Sequence, residues 1–279
     1  MLFTYINSIS DLEVLNKELL QKPFLGVDTE FRRTRKDNMK LALLQINDSE
    51  EIYIIDPLLI EDPGDQCSFL FSSAVIKIFH SCKEDIEAIY SWSGGVMSNL
   101  FDTQLAEAFL NGDYSIGYQS LVEKKLGILI DKKETRSNWI RRPLTDSQLS
   151  YATSDVEFLI YLFLEQKESL IESKKLDWLN EEIDFLISDI FLSTLPIEER
   201  LTDINKTEEN KVLKEFNNIV LEVSERQEIN PTLFFSKKSQ KNFLRLFLNY
   251  GFDEASKSIT NWRFRLISEP LEALLVEYR

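Results

Sequence analysis

Apolar positions change their period twice along this chain of 279 residues. Leu12, Leu15 and Leu19 follow Ser10-Asp11 at helical spacing and predict a helix to about Leu20. Pro23 then precedes a short run, 24–31, that opens apolar and reads as a strand. Residues 41–46 and 52–55 predict two more strands, joined by the turn-rich Asn47-Asp48-Ser49-Glu50, and three strands with short links suggest an antiparallel meander. A fourth strand is expected at 75–79, followed by a helix at 84–92. A fifth is expected at 99–102, followed by a helix at 103–110. The clearest helix of the first half spans 145–166. Thr145 stands at its N-cap with Gln148 three positions on, and Leu149, Ala152, Val156, Leu159 and Phe163 mark its buried face. More helix follows over 169–192, Leu195-Pro196 breaks it, and 202–210 is polar and reads as a linker. From Val212 onward every period is helical. There is no internal repeat and no low-complexity tract. Strands, then strands mixed with helices, then helices alone predict an α/β domain followed by a small all-α domain.

Composition narrows the chemistry. The chain has one histidine, His80, so a site of several histidines is excluded, and a Ser-His-Asp site would have to be built on that residue. Its two cysteines, Cys67 and Cys82, match no zinc or redox spacing, and two idle thiols in a reducing compartment are expected. No basic N-terminal segment leads into an apolar stretch, and no apolar run reaches membrane-spanning length, so a cytoplasmic protein with no membrane partner is expected. The net charge of −15 argues at first against a nucleic-acid partner. It is unevenly placed: residues 206–279 carry 12 basic and 11 acidic side chains, a balance of +1, which leaves −16 for the rest. Carboxylates are therefore the expected carriers of any chemistry.

Asp28 and Glu30 lie two apart on a predicted strand, so both project from one face. Two acids there repel each other and lose hydration, a cost that a cation would remove and that a wet face would avoid. Both readings stand on the doublet alone. Asp85 falls in the first turn of the helix after the fourth strand, a place that favours acids in any case. Tyr151 and Asp155 share a helix face at i, i+4, as many surface pairs do.

Taken together and in order, Asp-x-Glu on an early strand, an Asp after a later strand and Tyr-x-x-x-Asp on a following helix resemble the DEDD exonucleases of the tyrosine branch. The surrounding words are similar to the ribonuclease D family: Val27-Asp28-Thr29-Glu30-Phe31, Leu44-Gln45-Ile46, Ile55-Asp56-Pro57, His80-Ser81-Cys82-Lys83-Glu84-Asp85, Phe101-Asp102-Thr103-Gln104, and Trp139-Ile140-Arg141-Arg142-Pro143-Leu144-Thr145 running into Tyr151-Ala152-Thr153-Ser154-Asp155. The resemblance covers roughly residues 1–190. It implies a ribonuclease H-like mixed sheet flanked by helices, and 3′→5′ exoribonuclease activity releasing nucleoside 5′-monophosphates. RNA 3′ ends, those of tRNA precursors, are the implied partner. It also implies two divalent ions, Mg²⁺ or Mn²⁺, held by Asp28, Glu30, Asp85 and Asp155, with Tyr151 orienting the attacking water. Thr29, Phe31, His80 and Arg136 are candidate substrate contacts, His80 being equally suited to a structural hydrogen bond. Residues 223–278 resemble the helical HRDC domain, of which the family typically carries two and this chain has room for one. The expected organisation is an exonuclease domain at 1–190, a linker at 191–210 and an HRDC-like domain at 211–279, with a monomer as the expected state.

Other features are open to two readings each. Trp139 among Arg136, Arg141 and Arg142 suits single-stranded RNA or core packing. Asp102 reads as a helix cap. Lys237, Lys238, Lys241 and Arg245, with Trp262, Arg263, Phe264 and Arg265, suit an RNA backbone or a solvated helix face. The whole chain could also serve as a DNA exonuclease, or as an RNA-binding module without turnover.

Overall fold

The computed structural model describes residues 3–35, 38–110, 112–130, 134, 137–191 and 206–276. The chain divides into two compact units, one of Met1–Ala106 with Ser115–Ser169, the other of Glu107–Tyr114 with Leu170–Arg279.

The first unit is built on a six-stranded mixed sheet in the order β1-β4-β3-β2-β5-β6. Its strands are β1 (Phe3–Ile6), β2 (Phe24–Arg35), β3 (Asn38–Asn47), β4 (Ile52–Ile55), β5 (Ile76–Phe79) and β6 (Leu100–Asp102). β2, β3 and β4 form the expected antiparallel meander, while β1 joins β4, β5 joins β2 and β6 joins β5 in parallel. Alternation sends Leu25, Val27, Leu44, Ile46 and Ile54 into the core, where none exposes any surface. The helices are α1 (Ile9–Leu19), α2 (Lys83–Ser93), α3 (Thr103–Phe109), α4 (Tyr118–Leu126), α5 (Asp146–Glu157) and α6 (Leu159–Glu172), with a 3₁₀ turn at Gly64–Leu70. This is the mixed sheet flanked by helices that the family resemblance implies.

The single helix expected over 145–166 is two. Thr145 caps α5, its hydroxyl accepting from the Gln148 amide in a full capping box. The helix then stops at Phe158, whose backbone sits at φ −106°, ψ 0°. Tyr118 causes the break: its hydroxyl accepts from the Phe158 N–H at 3.0 Å and donates to the Ser154 carbonyl at 3.2 Å, taking a place in the helical ladder.

The second unit is helical. It adds α7 (Leu176–Phe191), α8 (Lys206–Gln227), α9 (Pro231–Phe235), α10 (Lys237–Tyr250), α11 (Phe252–Ser256) and α12 (Asn261–Val276). Trp262 is its anchor. It is fully buried, stacked on Trp178 at 5.1 Å with Phe109 and Phe234 against it, and its indole N–H donates to Glu182 at 2.6 Å. Arg263 donates to the Leu233 and Phe234 carbonyls. Trp262 is thus committed to the interior, and the half-buried Arg263 has its guanidinium engaged by carbonyls and Glu182. Lys237, Lys238 and Lys241 remain exposed on α10.

The units divide near residue 170 rather than 190, so α7 falls with the second. Of the expected linker, 192–205 lies outside the described residues, and 206–210 is already helical in α8.

Candidate active site

β2 carries the first two acids. Asp28 and Glu30 share a face with Gly26, and that face looks at α5. At Gly26 an added Cβ would stand 3.2 Å from the Leu159 Cβ and 3.3 Å from the Val156 carbonyl, so the absence of a side chain lets the helix come this close. Asp155, one turn of α5 away, joins the pair, and oxygens of Asp28, Glu30 and Asp155 all lie within 4.8 Å of one another.

Asp85 arrives by another route. β5 pairs with Phe24–Gly26, and that ladder ends before Asp28. The turn from β5 into α2 delivers Asp85 there, where it is buried and accepts a 2.5 Å hydrogen bond from the Thr29 hydroxyl. Asp102 holds that turn. Its carboxylate accepts from the backbone N–H groups of Ser81 and Cys82, and again from those of Gln104 and Leu105 at the start of α3. It caps, as expected, and its oxygens are committed to amides. Asp85 is not among the three acids that share the tight cluster, yet its charge acts on both Asp28 and Glu30.

Burial and mutual repulsion raise every acid of the group. Asp28 is pushed well above the usual carboxylate range by burial, then by Asp85, Asp155 and Glu30. Glu30 is pushed to about 9 by burial, then by Asp155 and Asp85. Burial takes Asp85 to about 7, moderated by the Thr29 hydrogen bond. Burial likewise takes Asp155 to about 7, moderated by hydrogen bonds from Tyr151 and Gln119. Three clustered acids with Asp85 beside them, offering only oxygen donors and repelling one another, fit a hard divalent ion.

The remaining candidates are placed as follows. Thr29 is buried, and its hydroxyl is committed to Asp85. Phe31, next to Glu30 on β2, is half-buried. His80 has both ring nitrogens engaged, Nδ1 with the Thr103 hydroxyl and Nε2 with the Ile116 carbonyl, each at 2.9 Å, which is the structural alternative rather than a phosphate contact. Burial lowers its pKa further. Arg136 lies outside the described residues. Trp139 is buried against Tyr151, ring centres 6.0 Å apart, so it packs rather than stacks on a base.

Three participants had no forecast. Gln119 of α4 donates to Asp155 at 3.4 Å, and Tyr118 sets the bend beyond it. Gln45 lies directly across the ladder from Asp28, fully buried, with neither end of its amide partnered. The alternation of β3 offered a signal for Gln45, since it is polar at a core position. Helix α4 offered none.

The model of a 3′-5′ exonuclease family matches residues 3–170, the span that contains all four acids and Tyr151. A ribonuclease D of Shewanella sp. (strain ANA-3) is 39% identical over 180 residues, which are 64% of this chain and 46% of that protein. The chain spans about half the length of the curated relatives it matches. The crystal structure of Escherichia coli RNase D, an exoribonuclease involved in structured RNA processing, aligns at a TM-score of 0.64 and 22% identity, covering 99% of this chain and 75% of that one. Brucella melitensis NrnC with bound Mg²⁺ aligns at 0.58 and 19%, covering 71% and 98%.

Proposed function

Starting from the chain's membership of the 3′-5′ exonuclease family, we propose that it hydrolyses RNA from the 3′ end and releases nucleoside 5′-monophosphates. The observation that carries this reading is the gathering of Asp28, Glu30 and Asp155 within 4.8 Å, with Asp85 alongside, inside the family-matched span. Two ions, Mg²⁺ or Mn²⁺, suit these donors. Bound there, they supply positive charge to the scissile phosphate and acidity to a water.

The chain's own groups do the rest. Asp28, Glu30, Asp85 and Asp155 give up their protons and serve as ligands. Tyr151 presents a phenol on the same face of α5 as Asp155 and already donates to it. An ordinary phenol holds its proton at neutral pH, so Tyr151 orients the water by hydrogen bonding rather than removing its proton. The water would pass a proton to solvent as its oxygen forms the new bond to phosphorus, the P–O3′ bond would break, and the leaving 3′ oxygen would take a proton from solvent. Gln119 restrains Asp155, and Thr29 restrains Asp85.

By family resemblance the substrates are structured RNAs with 3′ extensions, tRNA precursors among them, and the second unit is an HRDC-like domain. No helix among the described residues is long and apolar enough to cross a membrane, which suits a cytoplasmic enzyme.

One experiment tests the reading. Matched RNA and DNA oligomers, labelled at either end, are digested across a metal titration. Stepwise loss from the 3′ end, dependent on divalent metal and faster on RNA, is expected. Equal rates on DNA would move the substrate class, and no release at any metal concentration would end the nuclease assignment.

A further inference from the structure

The segment between 137 and 145 leads into α5, and Arg142 ties it to the sheet. Arg142 makes five hydrogen bonds. Nε donates to Asp56 Oδ2 at 2.5 Å and Nη2 to Asp56 Oδ1 at 2.8 Å; Nη2 also reaches the Ala42 carbonyl at 2.7 Å; Nη1 reaches the carbonyls of Trp139 at 2.6 Å and Arg141 at 3.1 Å. Asp56 exposes no surface and also accepts from the Tyr5 hydroxyl at 2.5 Å.

Each partner has a bearing on the active site. Leu43 pairs with Glu30 and Leu41 with Phe31, which leaves Ala42 as the extra residue of a bulge in β3. The carbonyl that Arg142 takes thus belongs to the residue adjoining Glu30's cross-strand partner. At the other end, Arg142 holds the carbonyl of Trp139, whose ring packs on Tyr151. Ser137, two residues earlier, accepts from Gln148 in the first turn of α5. The guanidinium therefore ties the strand pair bearing Glu30 to the wall against which Tyr151 rests.

We propose that Arg142, held in place by Asp56 and Tyr5, is a positioning residue that sets Tyr151 relative to the carboxylates. The proposal rests on the nuclease reading above and names a group that acts through another. Burial would raise Asp56, and its bonds from Arg142 and Tyr5 more than offset that, so the acid stays ionised and keeps its grip. Lysine cannot substitute. Its three donors radiate from one nitrogen, whereas a planar fork reaches the carboxylate and carbonyls on both sides at once. Misplacing a reacting group by about 1 Å can cost about 100-fold in rate.

The test is a double-mutant cycle on the full chain. Arg142→Lys is expected to lower kcat for nucleotide release by about 10- to 100-fold. KM for RNA and the calorimetric Kd for Mn²⁺ should stay within about threefold, since the carboxylates are untouched. The double variant Arg142→Lys/Tyr151→Phe should be no slower than Tyr151→Phe alone, because the effect of Arg142 travels through the phenol. Multiplying losses would overturn the proposal, as would a loss confined to KM or to Mn²⁺ affinity. Should Arg142→Lys melt below the assay temperature, Tyr5→Phe removes a single hydrogen bond and must show a smaller loss with the same non-additivity. An unsubstituted chain that releases no nucleotide would sink the nuclease reading itself, whereas an active chain with additive losses sinks only the role of Arg142.

Discussion

Loading the site with a divalent cation is expected to expel at least about two protons per protein at pH 7. Glu30, held near 9, is protonated at that pH, and Asp85 and Asp155, each near 7, are about half protonated. Ligation requires all of them ionised, so one proton leaves Glu30 and about half from each aspartate, with Asp28 adding to the total. The apparent affinity should then tighten at least about 100-fold per pH unit around pH 7 and level off only once all four acids are ionised. The same shifts set the stability of the metal-free protein. Each folded-state pKa is raised, so the fold binds more protons than the unfolded chain. The contribution is complete below about pH 4 and disappears as pH rises through 7 and then 9. Metal-free protein should therefore melt lower at pH 8.5 than at pH 6, and saturating Mg²⁺ should raise the midpoint more at the higher pH. Isothermal calorimetry in two buffers of different ionisation enthalpy counts the protons directly. A buffer-independent heat, or an affinity flat between pH 6 and 9, would show that the carboxylates are already ionised and that the electrostatic account of the site is wrong.

Asp28→Asn and Asp155→Asn should each cut nucleotide release by at least about 1,000-fold. At alkaline pH, where the acids of the site ionise and repel one another, each should also raise the melting midpoint of the metal-free protein; a midpoint that fell instead would show structural need for that acid. Gln45→Leu should stabilise the fold by about 1–3 kcal/mol in chemical denaturation, since both ends of the buried amide lack partners, and a net loss would mean the amide has an acceptor or donor in solution. Trp262→Ala should cost about 3–5 kcal/mol in the unfolding of the second unit, because the indole is wholly buried among Trp178, Phe109 and Phe234; a change under about 1 kcal/mol would refute its role as the anchor.

The meander and the acids were legible because their signals are local. β4 lies where the apolar run 52–55 put it, and Thr145 caps the helix it was read to cap. What stayed hidden depends on distant partners. The end of α5 at Phe158 is written in Tyr118, forty residues earlier, and no periodicity of the helix itself could disclose it. β1 is four residues long and stands only because β4 pairs with it. The link from Gln119 to Asp155 needs α4, whose run carries too few apolar positions to announce a helix. His80 and Trp262 teach the converse lesson. Both are residue types suited to binding, and in both the hydrogen-bonding groups turn inward, which only the packing discloses.

Gly26 sets the gauge of the whole centre. A methyl there would press on Leu159 and the Val156 carbonyl at 3.2–3.3 Å, so those neighbours would have to give by a few tenths of an ångström, and the reach from Asp28 to Asp155 would give with them. A methyl group there would act like a shim under a hinge. It would touch no substrate, yet it would widen the gap between two acids that one ion has to span, so metal preference could shift toward larger cations through a residue that carries no functional group of its own.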